Sequence, residues 1–252
     1  MTDAAQQPRV ALITGAAGAI GGATAHRLAR EGYALALADL SAPDAASGLP
    51  EGLRLAMDVR KTEQVQAAVA HTLASYGRID VLVNVAGITS FGSAQGLAES
   101  EWARVLDINL TGTFRCCQAV IPAMKAQGRG RIINLGSVLG KNGGNPRPWI
   151  DASEQNAAGN VAYGVSKAGV HTMTAYMAKE LAASGITVNA VAPGPVASKM
   201  TTGLSPAIRA LIPVGRMGRP EDVAAVVAFL ASDDAGFVTG EVIDLNGGMW
   251  CD

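Results

Sequence analysis

The feature that most constrains the fold of this chain is a glycine-rich run between a short apolar segment and a helix. The apolar segment is Val10–Thr14, the run covers residues 15–21, and helical periodicity extends over residues 20–31. Glycines permit a tight turn and let a pyrophosphate approach the backbone, and the helix N-terminus offers free N–H groups and a positive dipole. Because strand, glycine turn and helix follow one another directly, the run predicts a dinucleotide-binding site.

Apolar segments alternate with amphipathic stretches along the rest of the chain. Short apolar runs predict strands at residues 10–14, 33–38, 53–57, 80–84, 130–135, 186–192 and 241–245. Helical periodicity predicts helices at residues 20–31, 63–76, 100–126, 161–183 and 221–231, the last opened by Pro220. Continuous apolar strands that alternate with helices are typical of a parallel sheet covered on both faces. The predicted fold is therefore α/β, a single domain over residues 1–252 with a doubly wound (Rossmann) sheet of about seven strands.

Two polar segments, residues 141–160 and 197–219, interrupt this alternation. They are predicted to be loop excursions on the substrate side of the domain, the second with a short helix at residues 206–211. Long irregular segments in a compact domain are usually functional or mobile.

Composition excludes several classes of protein. Hydrophobic residues make up 49 % of the chain, the net charge is −1, and no basic run occurs, so nucleic acid and anionic membranes are not expected partners. The first eight residues form no signal peptide and no apolar stretch reaches the ~18 residues that span a bilayer, so a cytoplasmic location is expected. Three cysteines, two of them adjacent, indicate free thiols rather than a disulfide framework or a metal site.

Asp39 ends the second predicted strand, 18 residues after Gly21. An acidic side chain there can accept hydrogen bonds from the adenosine ribose 2′-OH and repels a 2′-phosphate. No Lys or Arg lies in the glycine turn, and Leu40 follows Asp39, so the pattern favours NAD over NADP. The alternative is that Asp39 only begins a turn over residues 39–43.

Tyr163 and Lys167 lie four residues apart at the start of a predicted helix, on one helical face. A phenol has a pKa of about 10, and a nearby ammonium stabilises the phenolate and is expected to lower that pKa. A phenol tuned in this way can give a proton to a carbonyl oxygen or take one from an alcohol. The pair alone is weak evidence, because Tyr and Lys at this spacing occur on many exposed helices.

Further motifs occur in order along the chain: Asp58-Val59, residues 84–87, Asn109, Ser137 after a strand, and the Pro-Gly loop at residues 193–196. Together with the glycine turn and the Tyr–Lys pair they resemble the compact, single-domain short-chain dehydrogenase/reductase family, from about residue 10 to residue 250. The catalytic set that the resemblance implies is Asn109, Ser137, Tyr163 and Lys167. The implied cofactor contacts are Gly15, Ala17, Ala19, Ile20, Asp39, Asp58, Val59, Asn84, Ala86, Tyr163, Lys167, Pro193, Val196 and Ser198.

The resemblance also implies a role for each catalytic residue. Tyr163 would be the general acid/base, and Lys167 would hold the nicotinamide ribose and lower the phenol pKa. Ser137 would polarise the substrate oxygen through a hydrogen bond. Asn109 would hold a water that links Lys167 to solvent. Two other interpretations stay open: Ser137 as a strand-end turn residue, and Asn109 as a partner of backbone groups at a helix bend.

The sequence departs from the family pattern in two main places. Ser137 and Tyr163 are separated by the 25 residues 138–162, a longer stretch than is usual in the family. The extra segment carries Arg147, Trp149, Asp151 and Glu154, and it is predicted either to form part of a polar substrate wall or to be a surface or subunit-contact loop. Ser198 stands where the family often has Thr, and Val85 replaces a second Asn.

Several functions compete. The favoured one is NAD-dependent interconversion of a small secondary alcohol (a sugar, polyol or hydroxy acid) and its ketone. A 3-oxoacyl-acyl-carrier-protein reductase is the alternative, since residues 215–222 and 246–250 resemble that branch, which generally uses NADPH. A non-catalytic dinucleotide sensor, or a lyase or epimerase with tightly held NAD, fits less well. The resemblance implies a homotetramer or dimer built on residues 100–126 and 161–183, and His26, His71 and His171 are given no role beyond surface or core packing.

Overall fold

The computed structural model describes residues 7–144, 148–198 and 206–251. In these residues seven parallel strands form one sheet in the order β3-β2-β1-β4-β5-β6-β7. The strands are β1 (Val10–Thr14), β2 (Ala34–Asp39), β3 (Leu53–Ala56), β4 (Val81–Asn84), β5 (Gly130–Leu135), β6 (Ile186–Pro193) and β7 (Val242–Leu245). The predicted doubly wound α/β sheet is confirmed.

Helices cover both faces of the sheet. They are α1 (Ala19–Arg30), α2 (Thr62–Tyr76), α3 (Glu99–Leu106), α4 (Gly112–Gln127), α5 (Ala152–Ala158), α6 (Val161–Leu181), α7 (Pro206–Arg209) and α8 (Pro220–Ala231). One core cluster joins the sheet to α1 and α8 through residues such as Leu28 and Val227. The other joins the opposite face to α2, α4 and α6 through residues such as Val69, Val120 and Leu181. Strands buried between two such layers need apolar side chains on both faces, which explains their continuous apolar sequences.

The strand order reverses between β1 and β4, and this reversal determines where a ligand site is expected. Thr14, the last residue of β1, lies opposite Ala38 on β2 and Asn84 on β4. Asn84 lies in turn opposite Asn134 on β5. In open parallel sheets, ligands bind outside the carboxyl ends of the strands where the order reverses. The ends of β1 and β4 therefore border the crevice in which a site is expected.

The helix predicted over residues 100–126 consists of three consecutive parts. A π-helical turn, Asp107–Thr111, separates α3 from α4, and Pro122 lies inside α4. A π turn carries one extra residue per turn and often marks a functional position. It lies at Asn109, the position at which the sequence allowed a helix bend.

The segment 141–160 is not the continuous loop that the sequence predicted. It contains α5, which Asp151 begins: its Oδ1 accepts hydrogen bonds from the Glu154 N–H at 2.9 Å and the Ser153 hydroxyl at 2.6 Å. Such a capping aspartate satisfies otherwise free N–H groups of a helix start, which is why a short polar segment can be helical here. The segment returns to the sheet beside the loop after β4, where the Gly92 N–H donates to the Gly159 carbonyl at 2.7 Å.

The second excursion contains the short helix predicted at residues 206–211, observed as α7. Residues 145–147, including Arg147, and residues 199–205 lie outside the described residues.

Among the described residues, no helix combines the length and apolarity that a membrane span requires. The three cysteines are free thiols, and burial raises the pKa of the Cys116 thiol to about 12.

Candidate active site

The turn after β1 is shaped to bring a ligand close to the backbone. Gly15 has φ +66°, and a Cβ on it would lie 2.8 Å from the Ala86 nitrogen, so a side chain is excluded there. The Thr14 hydroxyl accepts hydrogen bonds from the N–H groups of Val85 and Ala86, both at 3.1 Å. These bonds tie the end of β1 to the segment after β4. The sequence argument missed Thr14, and its only signal is a polar residue at the end of an apolar strand.

The N-terminus of α1 fits the predicted pyrophosphate. Among the described residues, α1 has no side-chain cap at Gly18 and no acidic residue in its first turn. The first N–H groups of a helix lack intrahelical acceptors, so those of Ala19 and Ile20 remain for an anion. Ala17, Gly18 and Ala19 are exposed to solvent. A bound dinucleotide would use these donors, with Gly15 and Ala17 in the turn beside them.

Asp39 lies across the crevice from this turn. Its Oδ2 accepts a hydrogen bond from the Ala17 N–H at 3.0 Å, and its Oδ1 accepts one from the Leu40 N–H at 2.8 Å. The side chain is only partly buried. The bond from Leu40 fits the interpretation in which Asp39 begins the segment 39–43, and the bond from Ala17 places negative charge beside the glycine turn, as the cofactor interpretation requires.

The Asp58-Val59 pair, expected beside adenine, lies at the end of β3. The Arg60 guanidinium holds both carboxylate oxygens of Asp58, with N–O distances of 2.7–3.0 Å, and keeps the pKa of that carboxyl below its usual value. Val59 is buried and packs on α4: a Cβ on Gly112 would lie 2.7 Å from Val59 Cγ2. The backbone of the pair and the Asp58 carboxylate are the groups that could meet an adenine.

Asn84 is turned into the protein rather than into the crevice. Its Nδ2 donates to Asn134 Oδ1 at 2.9 Å and contacts Cys117 Sγ at 3.3 Å, and Asn134 Nδ2 donates to Thr174 Oγ1 at 3.0 Å. Since the Asn84 side chain is buried in this amide chain, any contact that it makes to a cofactor must come from its backbone. Ala86, two residues on, lies against the glycine turn.

Lys167 is the one cation in the predicted catalytic set, and it is buried. Its Nζ donates to the Leu135 carbonyl, the last of β5, at 2.7 Å, and lies 5.8 Å from the centre of the Tyr163 ring. The residue is 5 % exposed. Burial lowers the pKa of the Lys167 ammonium to about 8, because the charged form loses its water.

The net shift of the Tyr163 pKa is opposite to the one predicted from the sequence. Burial raises the pKa of the phenol, and a side-chain hydrogen bond with Ser137 offsets this only in part. The Lys167 ammonium is not among the causes of the shift, although its Nζ lies 5.8 Å from the ring centre. The sequence gives the spacing of the pair on α6 but not the depth of its burial.

Asn109 lies in the π-helical turn, and its side-chain amide bonds backbone groups, as one of the two interpretations of this residue expected. Its Oδ1 accepts from the Ile88 N–H at 2.8 Å, and its Nδ2 donates to the Ile88 carbonyl at 2.9 Å and to Ser166 Oγ at 3.0 Å. Its side chain nevertheless borders the lysine: a Cβ on Gly87 would lie 3.2 Å from Asn109 Oδ1 and 3.6 Å from Lys167 Nζ. The missing side chain at Gly87 leaves room between the amide and the ammonium.

Ser137 begins the 3₁₀ turn Val138–Gly140 and is also within hydrogen-bonding reach of the phenol. Its Oγ accepts from the Leu139 N–H at 3.2 Å, which leaves the hydroxyl proton available for donation. Its own N–H donates to His171 Nε2 at 3.3 Å. The sequence argument missed His171, whereas His26 and His71 lie exposed.

The loop after β6 begins at Pro193, the last residue of that strand. Val196 is buried, and the Ala197 N–H donates to the Gly218 carbonyl at 2.8 Å, which fastens the loop to the segment before α8. Ser198 is the last described residue of this loop.

Asn109, Ser137, Tyr163 and Lys167 form one candidate catalytic group at the carboxyl edge of the sheet. Ser137 lies near the Tyr163 phenol, Lys167 lies under the phenol ring, and Asn109 lies across Gly87 from the lysine. A hydroxyl donor, a phenol and a buried amine can polarise a substrate oxygen and transfer a proton to it.

Comparison with known proteins agrees with this geometry. A family model described as enoyl-(acyl carrier protein) reductase matches residues 15–250. The 3-oxoacyl-[acyl-carrier-protein] reductase FabG of Staphylococcus epidermidis is 40 % identical over 252 residues, covering 95 % of this chain and 98 % of the relative. The protein of the same name from Thermotoga maritima is 42 % identical, covering 96 % and 97 %.

A solved structure, the crystal structure of gox2181, superposes with a TM-score of 0.85 at 36 % identity and covers 97 % of this chain and 96 % of its own. The chain belongs to the short-chain dehydrogenase/reductase family of oxidoreductases.

Proposed function

We propose that the chain interconverts a ketone and a secondary alcohol, with Tyr163 as the general acid/base. The observation that carries this proposal is the position of the Tyr163 phenol between the nearby Ser137 and the buried Lys167, whose Nζ lies 5.8 Å from the ring centre. A bound nicotinamide dinucleotide supplies or accepts the hydride. The cofactor fits the uncapped start of α1, with the further contacts from Asp39, Asp58, Val59, Ala86, Pro193, Val196 and Ser198 and from the backbone of Asn84.

Each side chain has a defined task in the direction of reduction. Ser137 donates its hydroxyl proton in a hydrogen bond to the carbonyl oxygen, which draws charge onto that oxygen. Tyr163 transfers its phenol proton to the same oxygen as the carbonyl carbon becomes a C–H carbon. Lys167 stabilises the phenolate left behind until the phenol is protonated again, and the buried Asn109 amide lies near the lysine across Gly87. In oxidation the phenolate takes the alcohol proton.

For the substrate, the 3-oxoacyl group is the best-supported class. The relatives named above carry that substrate in their names, at 40–42 % identity over nearly the whole chain. A cavity of about 430 Å³ beside Pro195 has a mixed lining, with Ile212, Val214 and Trp250 as well as Arg216, Asp222 and Asp244, so it does not separate an acyl chain from a polyol.

A small polar alcohol is the second candidate, and it is the one that the sequence favoured. The polar segment after Ser137 supports it, because Gly92 and Gly159 fasten that segment beside the loop after β4. The two candidates differ in substrate and share the catalytic group.

For the cofactor, we propose NAD(H) rather than NADP(H). The support is the Asp39 carboxylate beside the glycine turn, whose charge would meet a 2′-phosphate. The glycine turn, residues 15–21, contains no Lys or Arg that could neutralise a 2′-phosphate.

The deciding experiment is a matched pair of assays on the purified protein. Reduction of an acetoacetyl thioester is followed with NADH and with NADPH, and oxidation of a panel of sugars, polyols and hydroxy acids is followed with NAD. Thioester reduction at the higher kcat/KM supports the 3-oxoacyl proposal, whereas polyol oxidation alone supports the second candidate. Y163F is the control, and turnover by Y163F at the native rate would overturn the catalytic proposal.

For assembly, we propose a homotetramer or dimer through α4 and α6. Large apolar side chains on these two helices face solvent in the single chain, with Phe114 41 % and Tyr176 76 % exposed. Light scattering of the native chain and of Y176E tests the assembly.

A net charge of −1 and the absence of a basic run support a cytoplasmic enzyme with no nucleic-acid or membrane partner.

A further inference from the structure

The face of α6 that carries the catalytic pair continues beyond it with two more polar side chains. Lys167 donates to the Leu135 carbonyl, His171 accepts from the Ser137 N–H, and Thr174 accepts from Asn134 Nδ2. One face of a helix thus meets successive positions at the end of β5 and just after it. The proposed reaction uses Lys167 and leaves His171 unassigned.

The backbone around Ser137 is shaped to admit the imidazole. A Cβ on Gly136 would lie 2.1 Å from His171 Nε2, and a Cβ on Gly140 would lie 2.9 Å from His171 Cε1. In the described chain, neither glycine is among those with positive φ, so their backbone conformation does not require glycine. The close approach of α6, the ring included, is what excludes a side chain at both positions.

The bond from Ser137 to the imidazole complements three other bonds that hold this turn. The Gly136 N–H donates to the Val191 carbonyl at 2.8 Å, the Gly140 N–H donates to the Ser137 carbonyl at 2.9 Å, and the Leu139 N–H donates to Ser137 Oγ. His171 supplies the acceptor for the Ser137 N–H itself, in a residue only 6 % exposed. An N–H buried there without an acceptor would favour a different backbone position.

We propose that His171 is a positioning residue for catalysis, which holds the Ser137 backbone so that the hydroxyl faces the phenol of Tyr163 and the substrate oxygen. The proposal rests on the carbonyl–alcohol chemistry proposed above, and it adds a residue that touches neither substrate nor cofactor. It requires the neutral tautomer with the proton on Nδ1, because Nε2 must accept. A misplacement of about 1 Å in a catalytic group can lower a rate about 100-fold, so a single backbone bond is sufficient to matter.

The first test reads the tautomer in the native protein. Nitrogen-15 NMR of the imidazole at neutral pH is expected to show Nε2 without a proton and hydrogen-bonded to the Ser137 amide. A proton on Nε2 would overturn the proposal. This measurement needs no substrate, so its result is independent of whether the proposed reaction is correct.

The second test compares H171Q, which keeps an oxygen acceptor near the Nε2 position, with H171F, which keeps a ring and removes the acceptor. H71F, on the exposed face of α2, is the matched control. We expect H171F to lower kcat about 10- to 100-fold with an unchanged Kd for NADH, and H171Q and H71F to stay within about threefold of the native kcat.

The phenol gives a substrate-independent readout for the same variants. If Ser137 moves away, Tyr163 loses a hydrogen bond that favours its phenolate, so its titration, followed by carbon-13 NMR of labelled tyrosine, should shift upward in H171F and return in H171Q. A purely structural role would lower the melting temperature of H171F without moving this titration, and that result would overturn the proposal. If H171F does not fold, H171Q decides, because a kcat below a tenth of the native value would also overturn it.

Discussion

The Asp39 carboxylate, at the end of β2, accepts a 3.0 Å hydrogen bond from the Ala17 N–H in the glycine turn. One side chain therefore shapes the turn and sets the charge of the pocket in which an adenosine ribose would lie. These two effects can be separated, because an amide keeps the acceptor and removes the charge.

The first prediction concerns cofactor choice. D39N is expected to keep the turn and to lower the ratio of kcat/KM for NAD over NADP by about tenfold, since a nearby unpaired charge contributes on the order of 1.4 kcal/mol. D39A should lower the ratio similarly and also weaken NADH binding, because Ala17 loses its acceptor. Steady-state kinetics with both cofactors measure the ratio. An unchanged ratio in both variants would exclude Asp39 as the selector.

The second prediction follows from the buried lysine. Because burial lowers the folded-state pKa of Lys167 to about 8 from its ordinary value of 10.5, folding releases its proton between these values. The unfolded chain then binds more protons, so stability rises with pH, and below pH 8 the full cost of the buried charge remains. Between pH 8 and 10 native stability should rise by about 2–3 kcal/mol relative to K167M. Urea unfolding of both proteins across this range measures the difference.

K167M provides the comparison because it removes the titrating group while keeping an unbranched chain in the same space. Its activity should be lost at every pH. A constant stability difference between native protein and K167M from pH 8 to 10 would show that the lysine stays fully charged in the folded state, and would contradict a lowered pKa.

The sheet could be predicted from the sequence because its strands are buried on both faces. Each of β1, β4, β5 and β6 is buried at every position and has a mainly apolar sequence, and that signal is local. The candidate catalytic residues could be proposed because the motifs that carry them occur in a characteristic order along the chain. Helix α5 was not predicted because it has only seven residues and no buried side chain, so it shows no apolar periodicity. Asp151 and Glu154 at its start are nevertheless a capping signal.

The contacts that join distant segments could not be predicted. The approach of His171 to Ser137 depends on how closely α6 packs on the turn after β5, and no spacing in the sequence encodes that distance. The direction of the Tyr163 pKa shift depends in the same way on burial, which outweighs the opposing effect of Ser137 and which the Tyr–Lys spacing does not reveal. Asn84 likewise looked like a residue of the crevice, but the cross-strand partner Asn134 holds its side chain in the core.

The third prediction concerns Thr14, which joins the two strands at the reversal point. Replacing Thr14 by Val keeps the shape and leaves the Val85 and Ala86 N–H groups without their acceptor, at a cost of about 1–3 kcal/mol. T14V should also raise the Kd for NADH, because the glycine turn is held through these bonds. T14S retains the hydroxyl and serves as the control. Equal urea midpoints and equal Kd values for T14V and T14S would contradict this role.

The fourth prediction concerns the long segment between Ser137 and Tyr163. Trp149 lies half-buried in it, and Gly92 and Gly159 fasten the same segment beside the active-site edge of the sheet. If the segment forms part of the substrate wall, W149A removes contact area that the bound substrate and the transition state share. KM should then rise about tenfold with kcat nearly unchanged, which is the pattern expected when such uniform binding is lost.

The control for W149A is F237A, which removes a fully exposed aromatic side chain elsewhere on the surface and should leave both constants unchanged. Light scattering of W149A separates the two interpretations of the segment. A substrate wall predicts an altered KM in an unchanged oligomer, whereas a subunit-contact loop predicts a smaller oligomer at an unaltered KM. A native KM would remove the substrate-wall hypothesis, and with it the structural support for a small polar alcohol over a 3-oxoacyl substrate.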